Sequence, residues 1–164
     1  MAAFRNPYHG GVARFVVDGY NVIRQSDALA AGSLRDQRER LLRFIEERRP
    51  QGSPAHRVTV VFDGRADVSS PAWPGPTRVC FSHGKDADAL IKSLVDESAS
   101  PRDVVVVTDD RAIQRWVRAA GARVWAVAEF LAAGSPARGR RAAGLSAADR
   151  DAINDELRDL WKLK

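Results

Sequence analysis

The feature that most constrains this chain is a set of short apolar runs that end on carboxylates. RFVV at 14–17 stops at Asp18, RVTVVF at 57–62 stops at Asp63, and DVVVVT at 103–108 stops at Asp109 and Asp110. TRVCF at 77–81 and ARVWAV at 122–127 have the same strand-forming character. Most of these runs are nearly continuous rather than alternating, as strands covered on both faces are. Helical patterns lie between them. LRDQRERLLRFIEERR (34–49) places Leu34, Leu41, Leu42 and Ile45 on one face and offers Asp36–Arg40 and Glu39–Arg43 as opposite-charge neighbours one turn apart. The 88–98 segment carries a stripe of Leu90, Ile91, Leu94 and Val95, and the 111–120 segment one of Ile113, Trp116, Val117 and Ala120. Strands alternating with helices predict an α/β fold with a mainly parallel central sheet and helices on both faces.

The exception is GRADVSSPAWPGP (64–76), whose prolines and glycines predict a loop. Residues 1–12 are expected to be a flexible N-terminus and residues 13–133 the folded domain. A Gly- and Arg-rich linker follows at 134–145, and then a C-terminal helix at 146–164, capped by Ser146 and apolar along Ile153, Leu157, Leu160 and Trp161.

At 164 residues the chain fits one domain, and no apolar run approaches the ~20 residues of a membrane span. The first twelve residues show no secretory pattern, and the single cysteine, Cys80, permits no internal disulfide; both agree with a cytoplasmic location. The net charge is +5 with a pI of about 10.0. That balance favours a polyanionic partner, nucleic acid first.

In an open parallel sheet the strand C-termini line one edge, where ligands bind in the crevice. Asp18, Asp63, Asp109 and Asp110 therefore converge there, and HGKDADALI adds Asp86 and Asp88 at the start of the next helix. Singly, each has a structural explanation. An Asp before Gly favours a turn, and an Asp before a helix, as at Asp88 or Asp110, is a good N-cap. Together they repel. Two carboxylates about 4 Å apart cost roughly 4 kcal/mol at an effective dielectric of 20, so a cluster calls for cations or protons. Hard oxygen donors select Mg²⁺ or Mn²⁺, and Cys80, His83 and His56 are too scattered for zinc. A carboxylate-held metal suits phosphodiester hydrolysis.

VDGYN (17–21), VVFDG (60–64), KDADALI (85–91) and VVTDDRAIQ (106–114), in this order, resemble the NYN domain, in particular its YacP-like branch, a relative of the PIN-domain nucleases. The resemblance covers roughly residues 13–133. It implies a three-layer α/β/α PIN-like, Rossmann-like fold and metal-dependent endoribonuclease activity. By position, Asp18 matches the central metal ligand and Asn21 its polar partner. Asp88 matches the acidic residue opening the helix, and Asp110 the last of the set. Asp109 stands where relatives carry Ser or Asn, which leaves open which of Asp109 and Asp110 faces the metal. Asp63 and Asp86 are further candidate ligands. The implied mechanism is in-line attack of water on an RNA phosphodiester, leaving a 5′-phosphate.

Candidate RNA contacts are Lys85 and Thr108 at the scissile phosphate, against a plain solvated or capping role for each; Trp73 as a stacking platform, against the commoner role of a Trp among prolines in packing its loop down; and Arg138, Arg140 and Arg141 as an unopposed basic segment. The substrate classes left open are mRNA, tRNA and ribosome-associated RNA, for a monomer or a homodimer. A haloacid dehalogenase-type phosphatase is disfavoured, since Asp18 and Asp63 are followed two residues on by Tyr20 and Arg65. A toprim-type site has its paired Asp86 and Asp88 but lacks the Glu after the first strand. The alternative from another class is a catalytically silent RNA- or ribosome-binding adaptor with the same fold.

Overall fold

Alternation within each strand decides the layers. The structure, a computed structural model, describes residues 11–64 and 73–134. In β1 (Arg14–Asp18), Phe15 and Val17 join one apolar cluster while Val16 joins another on the opposite face. In β4 (Val104–Val107) the same division separates Val105 and Val107 from Val104 and Val106. Burial on both faces, complete in β4 and along the middle of β1, is the physical reason these runs read as continuous. With β2 (Arg57–Phe62), β3 (Arg78–Phe81) and β5 (Arg123–Trp125) they form one parallel sheet of order β3-β2-β1-β4-β5.

One face is covered by α1 (Gly19–Arg24), α2 (Leu34–Arg48) and α5 (Val127–Gly134), through Val22, Ile23, Leu41, Phe44, Ile45 and Phe130. The other is covered by α3 (Ala87–Asp96) and α4 (Arg111–Ala119), through Ile91, Leu94, Val95, Ile113 and Val117. The chain runs outward from β1 to β3 and then returns to β4 on the far side of β1. Right-handed crossovers in the two directions put their helices on opposite faces. The reversal lies between β1 and β4, the switch point where open α/β sheets bind ligands. The expected three-layer α/β fold is therefore the one found.

Local differences have identifiable causes. The short helix α1 follows Asp18 directly. A Cβ on Gly19 would come within 2.5 Å of the Phe62 ring, so glycine at 19 permits the close approach of α1 to β2 rather than a special backbone angle. In α2, Leu34 is exposed, because it sits in the first turn beyond the core; the buried set is Arg38, Leu41, Leu42, Phe44 and Ile45. Neither of the two expected charge pairs closes as a direct ion pair on α2, although the Asp36 carboxyl, lowered mainly by its Ser33 hydrogen bonds, is lowered further by the Arg40 charge. Asp36 is drawn into a capping box with Ser33, Arg40 turns to the Ala31 carbonyl, and Glu39 pairs with Arg35 at 3.2 Å. The last apolar run divides: β5 ends at Trp125, and Val127 opens α5.

Of the outer segments, residues 1–10 and 135–164, and with them all but the first residue of the expected linker and the whole C-terminal helix, lie outside the described residues. Among the described residues no helix is long and apolar enough to cross a membrane.

Candidate active site

The switch point brings the end of β1 against the residues that follow β4. Asp18 occupies the N-cap position of α1, yet its side chain makes no cap bond. Its Oδ2 instead accepts a hydrogen bond of 3.0 Å from Thr108 Oγ1. That hydroxyl in turn accepts from the Asp110 backbone N–H at 3.1 Å. Thr108 is fully buried and lies behind the carboxylates, with its donor and an acceptor lone pair both engaged. Gln114 Nε2 donates to the Thr108 carbonyl at 2.8 Å, fixing the turn from the α4 side.

Asp109 and Asp110 have separate tasks. Asp110 is the N-cap of α4, its Oδ1 accepting from the Ile113 N–H at 3.0 Å. Asp109 points the other way and its Oδ1 accepts from Val127 N–H, the first residue of α5, at 3.0 Å. Asn21 Oδ1 accepts from the Asp109 N–H at 2.9 Å, so Asn21 acts on the backbone of this turn from α1.

At the start of α3, Asp86 is the N-cap, its Oδ1 accepting from Ala89 N–H at 2.8 Å. The capping explanation therefore belongs to Asp86 and not to Asp88, which lies in the first helical turn and whose side chain makes no hydrogen bond among the described residues. Asp63 is exposed at the end of β2, its Oδ1 accepting from Ser82 Oγ at 2.9 Å, while Ser82 Oγ also accepts from Gly64 N–H. Ser82 escaped the sequence reading, because its value lies only in its position beside Asp63.

Electrostatics joins three of these residues. Burial pushes the Asp18 carboxyl up to about 6, the Thr108 hydrogen bond opposes this, and the charges of Asp88 and Asp110 add to the rise. Asp88 is also raised, first by burial, then by Asp110 and Asp86, and more weakly by Asp63. Arg24 counteracts the rise at Asp18 and Lys92 counteracts it at Asp88. Asp18, Asp88 and Asp110 thus share one field, with Asp86 and Asp63 at its margin. Oxygen donors under mutual repulsion match a hard divalent cation in kind. As the side chains stand, no three His, Cys, Asp or Glu among the described residues form a group that holds an ion.

The remaining expected contacts are dispersed. Lys85 is exposed beside the site, immediately before the α3 cap. Trp73 is half-buried against the core, and its Nε1–H donates to Glu46 Oε1 at 2.8 Å. Glu46 also accepts from the Thr77 N–H, just ahead of β3, so Trp73 sits at the opposite end of the sheet from the carboxylates. Arg138, Arg140 and Arg141 lie outside the described residues.

No curated protein matches the chain. Among the solved structures similar to it are Rae1 (YacP) from Bacillus subtilis, at 20% identity, a TM-score of 0.59 and coverage of 93% of this chain and 82% of that one, and a mutant form of it, at 22%, 0.57, 93% and 84%. These likenesses establish the fold. The family model described as the YacP-like NYN domain matches residues 15–158. With the switch-point carboxylates carried on the motifs that suggested it, the chain belongs to the YacP-like NYN domain family.

Proposed function

We propose that the chain is a metal-dependent endoribonuclease that hydrolyses RNA phosphodiester bonds at the C-terminal edge of its sheet. The observation that carries this reading is the bridge from Asp18 through the Thr108 hydroxyl to the Asp110 backbone, with Asp88 in the same field. Three carboxylates held in mutual repulsion at a sheet switch point are costly for a passive scaffold and are relieved by a cation. Asp18, Asp88 and Asp110 would hold Mg²⁺ or Mn²⁺, with Asp63 and Asp86 at the margin. Bound there, the metal would supply an activated water and neutralise charge on the phosphoryl oxygens. Thr108 orients Asp18, Asn21 sets the backbone that presents Asp110, and Asp109 anchors α5 rather than facing the other acids. Lys85, exposed beside the site, would meet a phosphate.

The test is cleavage of mixed single-stranded and structured RNAs in Mn²⁺, Mg²⁺ or EDTA by the parent chain and by Asp18→Asn, Asp88→Asn and Asp110→Asn. Metal-dependent cuts that all three variants lose support the reading. RNA binding without cleavage, unchanged in the variants, would favour the adaptor instead.

A further inference from the structure

The sheet has a second edge of opposite charge. Four of its five strands open on arginine: Arg14, Arg57, Arg78 and Arg123. Arg14 and Arg57 are direct neighbours in the parallel register, and both side chains leave the α3/α4 face, since Phe15 and Val58 beside them belong to the other cluster. Like charges placed opposite one another on adjacent strands destabilise a sheet. Among the described residues neither arginine has an ion pair or side-chain hydrogen bond to offset that cost. They border a cleft of about 240 Å³ that includes Val12, Ser98, Ser100 and Asp103. Arg57 also borders a second cleft, of about 200 Å³, with Arg49 and His56. Arg49 and Arg102 extend the exposed basic surface to either side. The carboxylates nearby are already engaged: Glu46 holds Trp73 and Thr77, and Asp103 has a partner of its own.

We propose that this strand N-terminal edge, centred on Arg14 and Arg57, is a second contact for the phosphate backbone of single-stranded RNA. The proposal rests on the nuclease reading and deepens it. The edge that would cut carries Asp18, Asp63, Asp86, Asp88, Asp109 and Asp110 and repels a polyanion, although the whole chain is at +5. In the absence of metal, Lys85, Arg24 and Lys92 are outnumbered there, and a basic surface elsewhere on the molecule would add the missing attraction. A strand of five residues puts the two edges roughly 13 Å apart, within reach of one RNA bound at both. A paired arginine fork between two clefts suits phosphate oxygens, which guanidinium groups bind in bidentate fashion.

The experiment is fluorescence anisotropy of the full chain with labelled single-stranded RNA long enough to reach both edges, titrated with salt in EDTA so that cleavage plays no part. The variants are Arg14→Gln/Arg57→Gln, Arg14→Lys/Arg57→Lys, and Arg115→Gln/Arg118→Gln as a control on the exposed surface of α4. Two lost phosphate contacts lower the salt slope by about 1.4; the glutamine pair should show this, and the lysine pair and the control should not. An unchanged slope in the glutamine pair, with its circular dichroism intact, overturns the proposal. An acidic peptide that displaces RNA from this edge at equal charge concentration overturns it in favour of a protein partner. Because binding is read without metal, failure of RNA cleavage would remove the nuclease reading and leave this result standing. Cleavage with an unchanged slope would remove only the second contact.

Discussion

The Thr108 hydroxyl donates to Asp18 Oδ2 at 3.0 Å across the β1/β4 junction, between residues 90 positions apart in the chain. The bond steadies the charged form of a carboxylate that burial otherwise disfavours, and it ties that carboxylate to the turn carrying Asp110. The same hydroxyl thus sets the relative position of two of the three central acids.

Thr108→Val should therefore reduce both stability and activity. The change keeps the shape but leaves Asp18 Oδ2 and the Asp110 N–H without their partner, at a cost of about 1–3 kcal/mol. Denaturant unfolding reads the loss, and RNA cleavage should fall with it. Thr108→Ser retains the hydroxyl and should recover most of both; equal damage from the two variants would show that the methyl, not the bond, matters.

Asp18 should make the stability of the metal-free protein depend on pH. Its carboxyl sits at about 6 in the folded chain against 3.8 as the ordinary value, so the folded state holds the proton longer than the unfolded state. Below pH 3.8 both states are protonated and no penalty exists. As pH rises from about 4 to 6 the penalty grows, towards a ceiling of about 3 kcal/mol from a difference of about 2 at 1.36 kcal/mol each, lowered by the side chain's partial exposure. Asp18→Asn should melt above the parent at pH 7 in EDTA and level with it near pH 4. A gap that does not widen over that interval contradicts the assignment.

Asp109 and Asp110 should respond differently to the same change. Asp109→Asn keeps an acceptor for the Val127 N–H and should preserve folding and cleavage, whereas Asp109→Ala should cost about 1 kcal/mol by uncapping α5. Asp110→Asn should fold and lose cleavage. Paired melting curves and cleavage rates separate the two residues.

Gly19→Ala should destabilise by about 1–3 kcal/mol, because its Cβ would meet Phe62 at 2.5 Å. Combining it with Phe62→Leu should cost less than the sum of the single changes, which a double-mutant cycle measures.

Trp73→Phe should lower stability by about 1 kcal/mol through the lost bond to Glu46 and leave RNA affinity unaltered. A large fall in affinity without a fall in melting temperature would restore the stacking role.

The strands and α2, α3 and α4 were legible because each carries its own apolar period. The short helix α1 was not, since six residues after a strand offer too little periodicity. α5 was hidden because its first residue continues the apolar run of β5. The acids were legible as a set, from the ends of the strands. Their division of labour was not: that Asp86 and not Asp88 caps α3, and that Asp109 serves α5, depends on which N–H groups lie nearby in space. The setting of Trp73 was hidden for a related reason. Its loop leaves the carboxylate edge at Gly64, but a parallel crossover has to return to the other end of the sheet before β3 begins, and Trp73 lies at that end.

The placement of β1 beside β4 also sets a timetable. β1 pairs with β2 and with β4, but only the second pairing brings Asp18 to Thr108 and Asp110. The second pairing closes the longer loop, at the higher entropy cost. During synthesis a chain with β1 to β3 already emerged still lacks its central constellation until β4 and the turn after it follow. Completion of the acid cluster is thus a marker of finished topology, and an intermediate with a well-formed first half would lack it.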